Sequence, residues 1–145
     1  MDDTYRCLLL GGAGYIGSHT CVELLKEGYT VVVVDNFVNS REESLKRVKE
    51  IVGEDKAQNL YYYDVDLKVC QLRIVRFVSQ PASREKDKLR EVFDVFSIDS
   101  VIHFAGLKAV GESVTIPLLY YDNNIYGTLT LLDVSSPPSL SFSFI

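Results

Sequence analysis

The chain has little of what marks several common protein classes. No apolar run among its 145 residues approaches the roughly 18 residues of a spanning helix. A membrane is therefore not an expected partner. Three cysteines, Cys7, Cys21 and Cys70, are odd in number and scattered. Neither a disulfide framework nor a zinc site fits that pattern. Cys7 in a strand and Cys21 on a helix face read as small apolar packers in a reducing compartment. The two histidines, His19 and His103, stand alone, so no metal site is expected and both read as structural. Positive charge is also short: the net charge is -5. Nucleic acid and anionic membrane are poor partners for such a chain. The start "MDDTYR" is acidic and leads straight into an apolar segment. It has neither the basic end of a secretory signal nor an arginine-rich transit character, so a cytoplasmic location is expected.

What is present alternates strand and helix patterns. "YRCLLL" and "TVVVVD" are apolar without alternation, as strands buried on both faces are. "NLYYYDVDL" and "SVIHFAG" add a third and a fourth strand. A helix is expected from Tyr15 to Lys26, with Ile16, Val22, Leu24 and Leu25 inward and Gly28 as its stop. "SREESLKRVKEIV" predicts a second helix, with Ser40 as N-cap and Glu43 completing a capping box. Its inward positions are Leu45, Val48, Ile51 and Val52. "DKLREVFDVFSID" predicts a third, with Leu89, Val92, Phe93 and Phe96 inward. A last helix starts at Pro117 and carries Gly127 at an internal cost. The alternation predicts an α/β fold. It is a Rossmann-like, doubly wound parallel sheet, truncated after about four strands and four helices.

Two segments break the pattern. Val69–Lys86 carries Arg73, Arg76, Arg84 and Lys86 against Glu85 in an otherwise acidic chain. The tail from Ser135 to Ile145 is serine-rich, with Pro137 and Pro138. The expected organisation is one partial domain over 1–134, with an atypical insertion at 69–86, followed by a low-complexity, disordered tail. Translated intervening sequence and a genuine surface insertion are both open for 69–86.

The stretch "LLLGGAGYIGSHT" joins the first strand to the first helix. Gly12, Gly14 and Gly17 fit G-x-G-x-x-G, and Gly11, Gly14 and Gly17 fit G-x-x-G-x-x-G. The first glycine permits the turn, the middle one admits a pyrophosphate to the backbone, and the last lets helix and strand pack closely. The N–H groups opening the helix face such an anion. Asp35 ends the second strand about 20 residues on, where the dinucleotide fingerprint needs an acid. A carboxylate there accepts ribose hydroxyls and repels a 2′-phosphate, so NAD is favoured over NADP. Ala105 and Gly106 end the fourth strand, and Lys108 follows beside the expected ligand crevice.

"GGAGYIGSHT", "VVVVDNF" and "HFAGLKAVGES" followed by "PLLYYDNN" together resemble the UDP-glucose 4-epimerase family, within the extended short-chain dehydrogenases. The match runs from about Cys7 to Val134, apart from 69–86. The resemblance implies tightly held NAD and a UDP-sugar substrate. In that family a tyrosine takes the sugar 4-hydroxyl proton while hydride moves to the nicotinamide, and the 4-keto sugar then turns over. It implies a pyrophosphate turn of Gly11, Gly14, Tyr15, Ile16 and Gly17, and an adenosine-ribose stretch of Asp35, Asn36, Phe37, Asn39 and Ser40. It places Asp66 and Leu67 beside the adenine. Phe104, Ala105, Gly106 and Lys108 fall along the cofactor's middle, and Asn123 near the site. Leu10 stands where the family usually has threonine, and Tyr126 where it often has asparagine. No Tyr-x-x-x-Lys occurs in the 145 residues, so no catalytic residue is assigned. The family's proton-transfer pair and uridine-binding part are expected beyond this stretch. The family also pairs as homodimers through the helix matching 117–134, an interface expected to be incomplete here. Related nucleotide-sugar dehydratases, decarboxylases or uronate epimerases, and a non-catalytic NAD-binding isoform, are the alternatives.

Overall fold

A computed structural model describes residues 4–67 and 84–135. Four strands, β1 (Arg6–Leu10), β2 (Thr30–Asp35), β3 (Leu60–Asp64) and β4 (Ser100–His103), form one sheet in the order β3-β2-β1-β4. Every pairing is parallel, with Leu9 opposite Val33 on one side and Ile102 on the other. The expected Rossmann-like architecture is therefore present. Central position explains the composition of β1 and β2. Leu8, Leu9 and Leu10 and Val31 to Val34 are all buried, on both sheet faces. Each such side chain contributes about 1.5–3 kcal/mol of transfer free energy. β3 and β4 are the sheet edges, and Tyr61 and Tyr63 of β3 stay exposed.

The described residues divide into two compact units, 4–64 with 96–105, and 65–67 with 84–95 and 106–135. The first holds the sheet with helices α1 (Tyr15–Lys26), α2 (Glu42–Val52) and the short α3 (Glu54–Ala57). Its core joins Cys7, Leu9, Val31 and Val33 to Cys21, Val22 and Leu25 of α1 and to Leu45 and Val48 of α2. Both cysteines pack as small hydrophobes, and burial pushes the Cys21 thiol up to about 12. Helix α1 stops as expected. Gly28 takes φ +90°, Tyr29 N–H donates to Leu24 O and Gly28 N–H to Leu25 O, a Schellman closure. Ile16 and Ile51, expected inward, are exposed instead. In their helices the buried stripe runs through Gly17, Cys21 and Leu25, and through Leu45 and Val48.

The start of α2 also departs from expectation. Ser40 is not its N-cap: the helix opens at Glu42 with Arg41 as the flanking residue and no side-chain cap. The Ser40 hydroxyl donates instead to Asp35 Oδ1 at 2.8 Å. A hydrogen bond to a carboxylate is roughly twice as strong as one between neutral groups.

The second unit is helical. It holds most of α4 (Arg84–Phe96), with α5 (Val110–Thr115), α6 (Pro117–Tyr121), a π-helical turn (Asp122–Tyr126) and α7 (Gly127–Val134). Pro117 is a first helical residue, as expected. The expected single last helix is thus interrupted by one wide turn, and α3 and α5 were not anticipated. Leu89 and Val92 of α4 are buried, while Phe93 and Phe96 are half-buried. The atypical insertion falls on residues outside those described, except that Arg84 to Lys86 open α4. The tail from 136 onward also lies outside them. Ser135 is buried and donates through both N–H and hydroxyl to Leu131 O.

Candidate functional site

The turn from β1 into α1 is held by contacts that only glycine allows. Gly11 has φ +73°, and a Cβ there would lie 2.7 Å from Ala105 N. The turn therefore runs against the end of β4. A Cβ on Gly17 would lie 2.5 Å from Gly11 O and 2.6 Å from Gly12 Cα, so α1 sits hard against the strand it follows. Gly14 flanks α1 with no side chain to cap it, and the first turn carries no acid. The opening N–H groups of a helix have no partner within it. Here they carry the partial positive charge that receives an anion.

Asp35 sits at the end of β2, buried, and binds this turn directly. Its Oδ2 accepts from Ala13 N–H at 3.0 Å, across the two strand ends. Its Oδ1 accepts from Phe37 N–H at 3.0 Å and from the Ser40 hydroxyl at 2.8 Å. A carboxylate has about four acceptor positions, so about one remains. Phe37 reaches its bond by adopting φ +51°, an unusual conformation for a bulky residue. Ser44 of α2 adds a second tie, donating to Ala13 O at 2.7 Å. Ala13 and Ser44 were not singled out from sequence. A serine two residues into a helix reads locally as a helix-start residue, and Ala13 acts through its backbone alone.

At the end of β4, burial holds the His103 imidazole below its ordinary value. Its Nδ1 accepts from Ala105 N–H at 3.2 Å, shaping the Phe104–Ala105 step. Of the expected site residues, the first unit thus brings together the glycine turn, Asp35, Phe37 and Ser40, and the Phe104–Ala105 step. Asn36 accepts from Val38 N–H within the same loop, and Asn39 is exposed. Tyr15 and Ile16 project to solvent, Tyr15 packing edge-on against His19.

Asp66, Leu67, Gly106, Lys108 and Asn123 belong to the second unit. Leu67 is buried, Asp66 half-buried, and Lys108 exposed. Asn123 lies in the π-helical turn and donates to its neighbour, Asn124 Oδ1, at 2.9 Å. Asn124, passed over in the sequence, makes the tighter connection to the loop after β4: it bonds both backbone groups of Leu107. Tyr120 bonds Glu112 Oε2 at 2.6 Å, and that bond raises its phenol above the ordinary value. It is poorly suited to act as a base. Among the described residues no group of three or more metal-ligating side chains occurs. No helix among them is long and apolar enough to cross a membrane.

The model of the NAD dependent epimerase/dehydratase family matches residues 7–144. The chain belongs to that family. Among curated epimerase/dehydratase relatives, UDP-glucose 4-epimerase 2 of Arabidopsis thaliana is 51% identical over 127 residues. That alignment covers 88% of this chain and 31% of the relative. The UDP-glucose 4-epimerase of Bacillus subtilis is also 51% identical, over 126 residues, with 87% and 31% covered. The chain spans about a third of the length of the curated relatives it matches. Among solved epimerases, the Bifidobacterium longum UDP-glucose 4-epimerase in complex with NAD+ and UDP is similar with TM-score 0.73 and 44% identity. That match covers 89% of this chain and 32% of the other. The Stenotrophomonas maltophila enzyme with bound NAD and formylated UDP-arabinopyranose gives TM-score 0.78 at 34% identity, covering 97% and 36%.

Proposed function

We propose that this chain is the NAD-holding portion of a UDP-glucose 4-epimerase, an isomerase that interconverts UDP-glucose and UDP-galactose through a 4-keto intermediate. The observation that carries it is the bond from Ala13 N–H to buried Asp35, which ties the glycine turn to the acid ending the next strand. The backbone at Gly11, Gly14, Tyr15, Ile16 and Gly17 receives the pyrophosphate. Asp35 offers its remaining acceptor position to one ribose hydroxyl, with Asn36, Phe37, Asn39 and Ser40 around it. A 2′-phosphate at that place would meet the carboxylate charge, so NAD is bound in preference to NADP. Asp66 and Leu67 flank the adenine, while Phe104, Ala105, Gly106, Lys108 and Asn123 lie along the cofactor's middle. NAD, when bound, supplies a reversible hydride acceptor. The chain's own residues hold and orient it, and no tyrosine here is assigned the proton.

Self-association belongs to the same reading. Leu118, Tyr121, Ile125 and Leu129 are exposed at helical spacing along α6, the π-helical turn and α7. An apolar stripe of that kind fits a second copy of the chain.

Calorimetric titration of the purified chain tests the proposal. NAD is expected to bind at least tenfold more tightly than NADP, and Asp35→Ala is expected to abolish that preference. UDP-galactose is expected not to turn over. Equal binding of the two dinucleotides, or none of either, overturns the reading of the site. Turnover by this chain alone overturns its assignment as the holding portion.

A further inference from the structure

The loop after β4 is fastened by one side chain. Asn124 Oδ1 accepts from Leu107 N–H at 2.8 Å, and Asn124 Nδ2 donates to Leu107 O at 2.9 Å. The amide thus pairs with both backbone groups of one residue, as a neighbouring strand would. Its Oδ1 also accepts from Asn123 Nδ2 at 2.9 Å, which uses the second lone pair and orients the group. Both asparagines lie in the π-helical turn. Such wide turns inside α-helices are rare and recur at functional sites. Nearby, Tyr120 gives its one hydroxyl proton to Glu112 Oε2 at 2.6 Å, so the fastening of the loop falls to Asn124. Gly106 leaves open space: a Cβ there would first meet Asn124 Oδ1, at 3.8 Å.

We infer that Asn124 is a positioning residue for the cofactor's middle, acting through the backbone of Leu107 to set Gly106 and Lys108. This rests on the NAD-holding reading above. The physical case is one of matched groups. Leu107 presents a donor and an acceptor, and the loop has no regular structure to satisfy them. A carboxamide offers the complementary acceptor and donor. A carboxylate offers only acceptors, and turns one of them toward the Leu107 carbonyl. A protonated carboxyl again has one donor and one acceptor, and its bond to that carbonyl favours the neutral form.

The test uses the full chain, with NAD and ADP as separate probes. ADP reports the glycine turn and Asp35, while NAD also extends along the loop. In Asn124→Leu, NAD affinity is expected to fall about tenfold, the scale of one lost half-buried hydrogen-bond pair. ADP affinity is expected to stay within about twofold. Asn124→Asp is expected to match Asn124→Leu at pH 8 and to recover the unsubstituted NAD-to-ADP affinity ratio at pH 5. Should Asn124→Leu not fold, Asn124→Asp carries the comparison alone. An unchanged ratio in these variants, an equal loss of both nucleotides, or no recovery at pH 5 overturns the inference while leaving the parent reading intact. Failure of the unsubstituted chain to bind NAD overturns the parent reading, and the inference with it.

Discussion

At the scale of single residues, the site is a set of places where one atom more would not fit or one partner fewer would leave a charge stranded. Gly17 is the strictest. Its missing Cβ would sit 2.5 Å from a backbone oxygen that no rotamer can move. Gly17→Ala is expected to cost about 3 kcal/mol and to lower Tm by on the order of 10 °C in a thermal melt. His103 supplies a pH dependence. Burial lowers its pKa from 6.5, so the unfolded chain takes the proton more readily than the folded one. Stability is therefore fully present above about pH 6.5 and is lost as pH falls through the lower folded value. His103→Asn keeps an acceptor for Ala105 N–H and removes the titration. The fall in Tm between about pH 7 and pH 5.5 is expected to shrink in that variant. An undiminished fall would assign the dependence to other groups.

At the scale of elements, β1 and β2 were legible because burial on both faces demands unbroken apolar sequence, and "CLLL" and "VVVV" supply it. Helix α1 was legible for a similar reason, bounded by a glycine turn and by Gly28. The start of α2 was misread. Serine followed three residues later by glutamate is a capping signature, but Ser40 faces a carboxylate in space. Ser44 then does the joining, from inside the helix to Ala13 O. Ser44→Ala is expected to cost about 1 kcal/mol, read by urea denaturation. It is also expected to speed amide exchange at the glycine turn more than in β1. Uniform acceleration across the sheet would argue against a local tie. The π-helical turn could not be read from the sequence. The apolar spacing of residues 117–134 fits an unbroken helix, and it carries no proline inside the turn to mark the change.

At the scale of the whole molecule, two compact units are made from interleaved stretches of chain. Leu118, Tyr121, Ile125 and Leu129 form an exposed apolar stripe along the second unit's last helical stretch. Sedimentation of the purified chain is expected to show concentration-dependent self-association. Leu118→Glu with Leu129→Glu is expected to weaken it at least tenfold without lowering the NAD affinity. A chain that stays monomeric at high concentration would remove the stripe as a contact surface.

The sequence by itself determined the strand and helix alternation, the order in which the sheet is laid down, and the pairing of a glycine turn with an acid on the next strand. Those features rest on periodicity, chain sterics and short-range chemistry, which neighbours in sequence carry. Tertiary structure alone decided which polar groups meet. It gave Asp35 to Ala13 N–H and Ser40, and it gave Leu107 to Asn124 rather than to Asn123. It also turned Ile16 and Ile51 outward. A hydrogen bond is chosen from whatever packing brings within about 3 Å, and residues 22 or 17 positions apart meet only after the chain has folded.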